Sequence, residues 1–152
     1  MKTLLPLFKT DAAFSSLILR LTLGAVFLPH GAQKVLGLFG GYGFSATMAS
    51  FTGQMHIPAV FAFLAIMAEF AGAIALILGF FTRVAAFGIA STMAVAIVMV
   101  HYANGFFMNW AGTQKGEGFE YHLLAIGIAV ALIVRGGGLW SVDRAVAKKL
   151  AE

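Results

Sequence analysis

Glu69 is the only ionisable side chain between Pro58 and Phe81, in a run that reads PAVFAFLAIMAEFAGAIALILGFF. A carboxylate in apolar surroundings costs roughly 3 kcal/mol or more unless it is protonated, paired or turned to a polar cavity. Other apolar stretches carry polar groups too: Arg20, His30 and Lys34 in one, His101 in a second, Glu120 and His122 in a third. A carboxylate among neutral imidazoles can exchange protons, and an imidazole can hydrogen-bond a ligand carbonyl. Metal chemistry is poorly served. Glu120 and His122 stand about 200° apart on a helix, and the Glu-x-x-His spacing of di-iron bundles is absent. No metal site is expected. Haem ligation by two of the four histidines stays open as a lesser reading. The chain has no cysteine, which removes iron–sulfur clusters, thiol nucleophiles and dithiol relays. There is no phosphate-binding glycine loop and no G-x-S-x-G.

These groups must be held by elements that cross a membrane. Of 152 residues, 61% are hydrophobic and 11% charged, with mean hydropathy +0.93. An aqueous domain runs about 25% charged. Four apolar runs predict transmembrane helices near residues 14–38, 57–81, 83–102 and 119–134, because a lipid-embedded backbone must satisfy its own hydrogen bonds. The fourth is short, about 24 Å at a helical rise. The fold class expected is all-α: an integral membrane four-helix bundle with a short C-terminal interfacial helix, forming one domain over residues 1–152. MKTLLPLFKTD does not read as a signal peptide, since Lys9 and Asp11 cut its apolar stretch. Lys2, Lys9, Arg83, Arg135, Arg144, Lys148 and Lys149 fall at one side. The positive-inside rule therefore places both termini in the cytoplasm. The net charge of +4 is spread over segment ends, so nucleic acid is not an expected partner. The lipid bilayer is.

Helical spacing groups the polar residues with small ones. Arg20, Gly24, Phe27, Gly31 and Lys34 fall within about 80° of one another, with His30 beside Lys34. Glu69 shares its face with Gly72, Ala73 and Leu76. Glycines there let a second helix approach closely. Counted from the cytoplasmic ends, Arg20 lies about 9 Å deep, Glu69 about 18 Å and the histidines about 20–27 Å. Arg20 is expected to reach Glu69, and Tyr121, Trp110 and Tyr102 to form an outer aromatic belt. Gly79 suits a helix C-terminus, while Thr82 and Ser141 suit N-caps. The phenylalanines and methionines read as lipid-facing or core residues.

The chain resembles the DoxX-like membrane proteins. Leu19-Arg20-Leu21 through Gly24, then His30-Gly31 and Lys34, look like the family's first helix. Glu69, Gly72 and the run from Leu76 to Ala86 look like its second helix and turn. Asn104-Gly105, Gly118-Phe119-Glu120-Tyr121-His122 and Gly136-Gly137-Gly138 with Ser141-Val142-Asp143 look like its fourth helix and tail. The resemblance implies a four-helix protein of the bacterial inner membrane. It also implies an association with respiratory or sulfur-oxidising quinone chemistry, as in the small subunit of a thiosulfate:quinone oxidoreductase. Arg20, Glu69, Glu120 and Tyr121 carry over as motif positions.

The resulting expectation is a quinone-associated oxidoreductase component. Glu69, Arg20 and Glu120 would be its catalytic groups, and His30, Lys34, Tyr121, His122 and His101 its ligand-binding groups. Electrons would come from a partner subunit or a soluble flavoprotein, and homo-oligomers are open. The alternative is a non-enzymatic binding or assembly subunit, or a small transporter, whose buried charges are structural.

Overall fold

A computed structural model describes residues 5–151. Lys2, which entered the charge argument, lies outside them, as do the first residues of the segment weighed as a signal peptide. The described residues form helices only: α1 (Leu5–Phe8), α2 (Phe14–Leu36), α3 (Gly43–Ala49), α4 (Ala59–Leu78), α5 (Thr82–Ala96), α6 (Glu120–Arg135) and α7 (Val142–Ala151). Two stretches, Ser50–Gln54 and Ile97–His101, widen into π-helix. The second continues α5 through a 3-10 turn at Tyr102–Asn104.

Local chemistry sets the ends. Gly37 and Gly79 stop α2 and α4 in the left-handed region, where a Cβ is costly. Ser141 caps α7, its Oγ accepting from the Arg144 N–H at 3.2 Å. Thr82 does not cap α5, because its hydroxyl is buried without a partner. Asp143 takes that place from 61 residues away: its carboxylate accepts the N–H groups of Phe81 (2.7 Å) and Thr82 (2.9 Å).

The long helices form a ring in which α2 packs on α4, α4 on α5, α5 on α6 and α6 on α2. Leu23, Leu76, Ala86, Ile89, Ala129 and Leu132 fill its core. The outward faces are also apolar, with Phe14, Phe61, Val84, Phe87, Leu124 and Val134 exposed. That inversion of the aqueous pattern suits a protein solvated by lipid. Three helices, Phe14–Leu36, Ala59–Leu78 and Thr82–Asn104, are long and apolar enough to cross a membrane. The expected fourth, α6, has 16 residues, short of the roughly 20 a hydrocarbon core requires, although its outer face is as apolar as theirs.

Gly31 brings α2 hard against α4. A Cβ there would lie 2.5 Å from the Phe70 Cα and 2.7 Å from the Glu69 carbonyl oxygen. Gly24 does the same one level down, where a Cβ would meet Ala73 and Ile77. In lipid, such close backbone contact is a main source of helix association.

Candidate functional site

Lys34 sits one turn beyond Gly31, so the backbone contact at Glu69–Phe70 delivers its ammonium to the Glu69 carboxylate. The two form an ion pair with Nζ to Oε2 at 2.6 Å. The Glu69 side chain is 6% exposed and that of Lys34 24%. Arg20, expected on Glu69, goes elsewhere. Its five N–H donors meet five main-chain carbonyls. Nε donates to Gly137 at 2.9 Å. Nη1 donates to Leu76 at 3.1 Å and to Ile77. Nη2 donates to Leu139 at 3.1 Å and Trp140 at 3.0 Å. The backbone bend at Gly136–Trp140 folds under α4 and offers carbonyls nearer than Glu69, which corrects the expected Arg20–Glu69 pair.

The Lys34–Glu69 pair lines a cavity of about 1440 Å³ that opens between helices. His30, His101, Tyr121 and His122 line it too. The His101 and His122 rings lie 4.0 Å apart, centroid to centroid. The π-helical stretch that ends at His101 widens the helix at that point, a feature common at functional sites. His101 Nδ1 is 2.8 Å from the Glu117 carbonyl. Because that oxygen can only accept, Nδ1 carries the hydrogen of this contact, and in the neutral ring Nε2 is then the acceptor. His122 is 6% exposed and its Nδ1 has no partner. The Tyr121 hydroxyl is buried and unpartnered as well. Buried polar groups are ordinarily satisfied, so a ligand that meets these two atoms would repair a deficit.

Six of the eight residues expected at the site therefore line one cavity. Arg20 and Glu120 do not. The Glu120 carboxylate accepts the Met108 N–H at 2.8 Å and fastens the loop before α6. Tyr121 departs from the expected aromatic belt by turning its hydroxyl inward, whereas Trp110 and Tyr102 are exposed. Sequence reasoning missed the walls. Five of the seven methionines, Met55, Met67, Met93, Met99 and Met108, line the cavity, and their flexible thioethers suit an adaptable apolar surface. Methionine abundance was visible in the sequence, but its clustering was not. Among the described residues, no three of His, Asp and Glu stand together in an arrangement that could hold a metal ion.

The DoxX family profile matches residues 15–102, more than half of the sequence, from the start of α2 through the π-helical end of α5. The chain belongs to the DoxX family. No curated protein and no solved structure matches it. The DoxX segment carries Arg20, His30, Lys34, Glu69 and His101. Tyr121 and His122 complete the cavity from α6, beyond it. With three membrane-length apolar helices, this DoxX chain is a membrane protein.

Proposed function

We propose that this DoxX protein binds a quinone head group at the Lys34–Glu69 cluster and serves as the membrane component of a quinone-linked oxidoreductase. One observation carries the reading: a buried ion pair with unspent imidazole and phenol groups beside it, in the wall of a large and mainly apolar cavity. The Lys34 ammonium or the Tyr121 hydroxyl would donate to a quinone oxygen. Glu69 and the free Nε2 of His101 would exchange the protons that accompany reduction. Electrons would come from a partner subunit or soluble flavoprotein. Lys9, Arg83 and Arg135 gather at one end of the bundle, where Arg83 donates to the carbonyls of Lys9 and Val134 at 2.9 Å. In a bacterial inner membrane that end would face the cytoplasm.

Native mass spectrometry of detergent-solubilised protein, with lipid extraction alongside, tests the reading. A co-purified quinone that disappears in Glu69→Gln and His30→Ala supports it. Protein that takes up no quinone when one is supplied refutes it. A second reading rests on the tight seat of Gly31 on Glu69–Phe70: the ion pair would fix helix register in a non-enzymatic assembly subunit. Glu69→Gln would then lower the melting temperature sharply and change no ligand.

A further inference from the structure

A second recess lies at the opposite end of the bundle from His101, where the chain turns into α7. It is shallow, about 220 Å³, and is lined by Trp140, Ser141, Arg144, Ala145 and Lys148. From the Ser141 cap onward these residues share one helical face. Arg144 and Lys148, one turn apart, supply its charge, and no carboxylate lines it. Among the described residues the one ion pair is Lys34–Glu69, so both cations are uncompensated. Their neighbour Asp143 is buried and gives both oxygens to the N–H groups of Phe81 and Thr82.

Two anchors fix the level of the recess. The Asp143 N–H donates to the Gly79 carbonyl at 2.9 Å. The start of α7 is therefore level with the end of α4 and the start of α5, which belong to two helices of membrane length. Arg20 holds the preceding segment through the carbonyls of Leu139 and Trp140. Trp140 is kept at φ +53°, a left-handed backbone that a bulky residue seldom adopts. Its indole is 80% exposed and stands beside the two cations instead of packing into the bundle.

We infer that this recess binds the phosphate head group of an anionic phospholipid from the adjoining leaflet. The inference does not depend on the quinone reading. Arg144 and Lys148 take the phosphate oxygens. The indole lies where head group meets acyl chain, a level that favours an amphipathic ring, and exposed Val142 continues its apolar side. A free anion would use the cations and leave the indole idle, whereas a lipid uses both. The bound lipid braces the Gly136–Trp140 bend from outside, as Arg20 does from within.

The test uses the full chain in vesicles of equal parts phosphatidylcholine and phosphatidylglycerol, one or the other brominated on its acyl chains. Trp110→Phe, a change at an exposed loop residue, leaves Trp140 as the sole tryptophan. Brominated phosphatidylglycerol is expected to quench Trp140 about twofold more strongly than brominated phosphatidylcholine. Arg144→Gln with Lys148→Gln should make the two equal. Lys149→Gln, outside the recess, should leave the preference intact. Should the double variant melt early in phosphatidylcholine vesicles, Lys148→Gln alone, on an exposed side chain, is read in the same way. Equal quenching by both lipids before any charge is removed overturns the site. So does a preference that survives the double change, or one that Lys149→Gln removes as fully. Competition by inorganic phosphate, at an ionic strength where chloride has no effect, would assign the recess to a free anion and overturn the lipid.

Discussion

Arg20 and Lys34 are carried by the same helix, and what surrounds them differs in kind. Every N–H of the Arg20 guanidinium meets a main-chain carbonyl, from the end of α4 or from the segment before α7. Nearby, both Asp143 oxygens accept from the start of α5, and Arg83 ties α6 to Lys9. At the other end, Lys34 and Glu69 have each other, while His122 Nδ1 and the Tyr121 hydroxyl have nothing. A charged group saturated by its own backbone is a fastener. Groups left short of partners beside a cavity are free to meet a ligand. Residue type alone would have assigned Arg20 and Glu69 to one task.

Substitutions at the two ends should separate stability from binding. The largest effect is expected for Arg20→Leu, which strips five main-chain carbonyls of their guanidinium donor. A loss of about 3–5 kcal/mol should appear as a collapse in melting temperature and rapid tryptic cleavage at Arg144. Asp143→Ala orphans two N–H groups and should cost about 2 kcal/mol, read by thermal melting, with Asn restoring part of it. Gly31→Ala probes the joint between the regions. Overpacking against Phe70 should cost about 1–3 kcal/mol and also weaken ligand binding, because Lys34 moves away from Glu69. Retained binding in that variant would uncouple the ion pair from the helix contact. Glu69→Gln strips the largely buried Lys34 ammonium of its counter-ion, which should cost about 1–3 kcal/mol, and should abolish quinone retention. The smallest effect belongs to Glu120→Gln. Its amide oxygen can still accept from Met108, so stability should shift by less than about 0.5 kcal/mol with ligand titration unaltered. Loss of binding there would return Glu120 to the site.

Much of the arrangement was legible in the residues. Glu69 declared itself by its depth, Gly24 and Gly31 by their spacing on the polar face, and Gly79 by its place between two apolar runs. The partner of Glu69 was not. A rise of about 1.5 Å per residue puts Glu69 roughly 9 Å from Arg20 in depth and roughly 12 Å from Lys34, too even a contest for counting to settle. The backbone contact at Gly31 and the fold of Gly136–Trp140 beneath Arg20 decided it, and both are tertiary. The Thr82 expectation failed for a related reason. A local cap is readable from neighbouring residues, but a carboxylate arriving from 61 positions away is not.

That remote cap also imposes an order on synthesis. The ribosome delivers Thr82 long before Asp143, so the first turn of α5 enters the membrane with its N–H groups open. It stays open while α5 and α6 are made. The α4–α5 hairpin, whose two helices line the cavity, is closed by one of the last helices translated. A chain halted before Asp143 would carry all the cavity residues and still lack the clasp that holds two of their helices together, leaving it exposed to the proteases that clear unfinished membrane proteins.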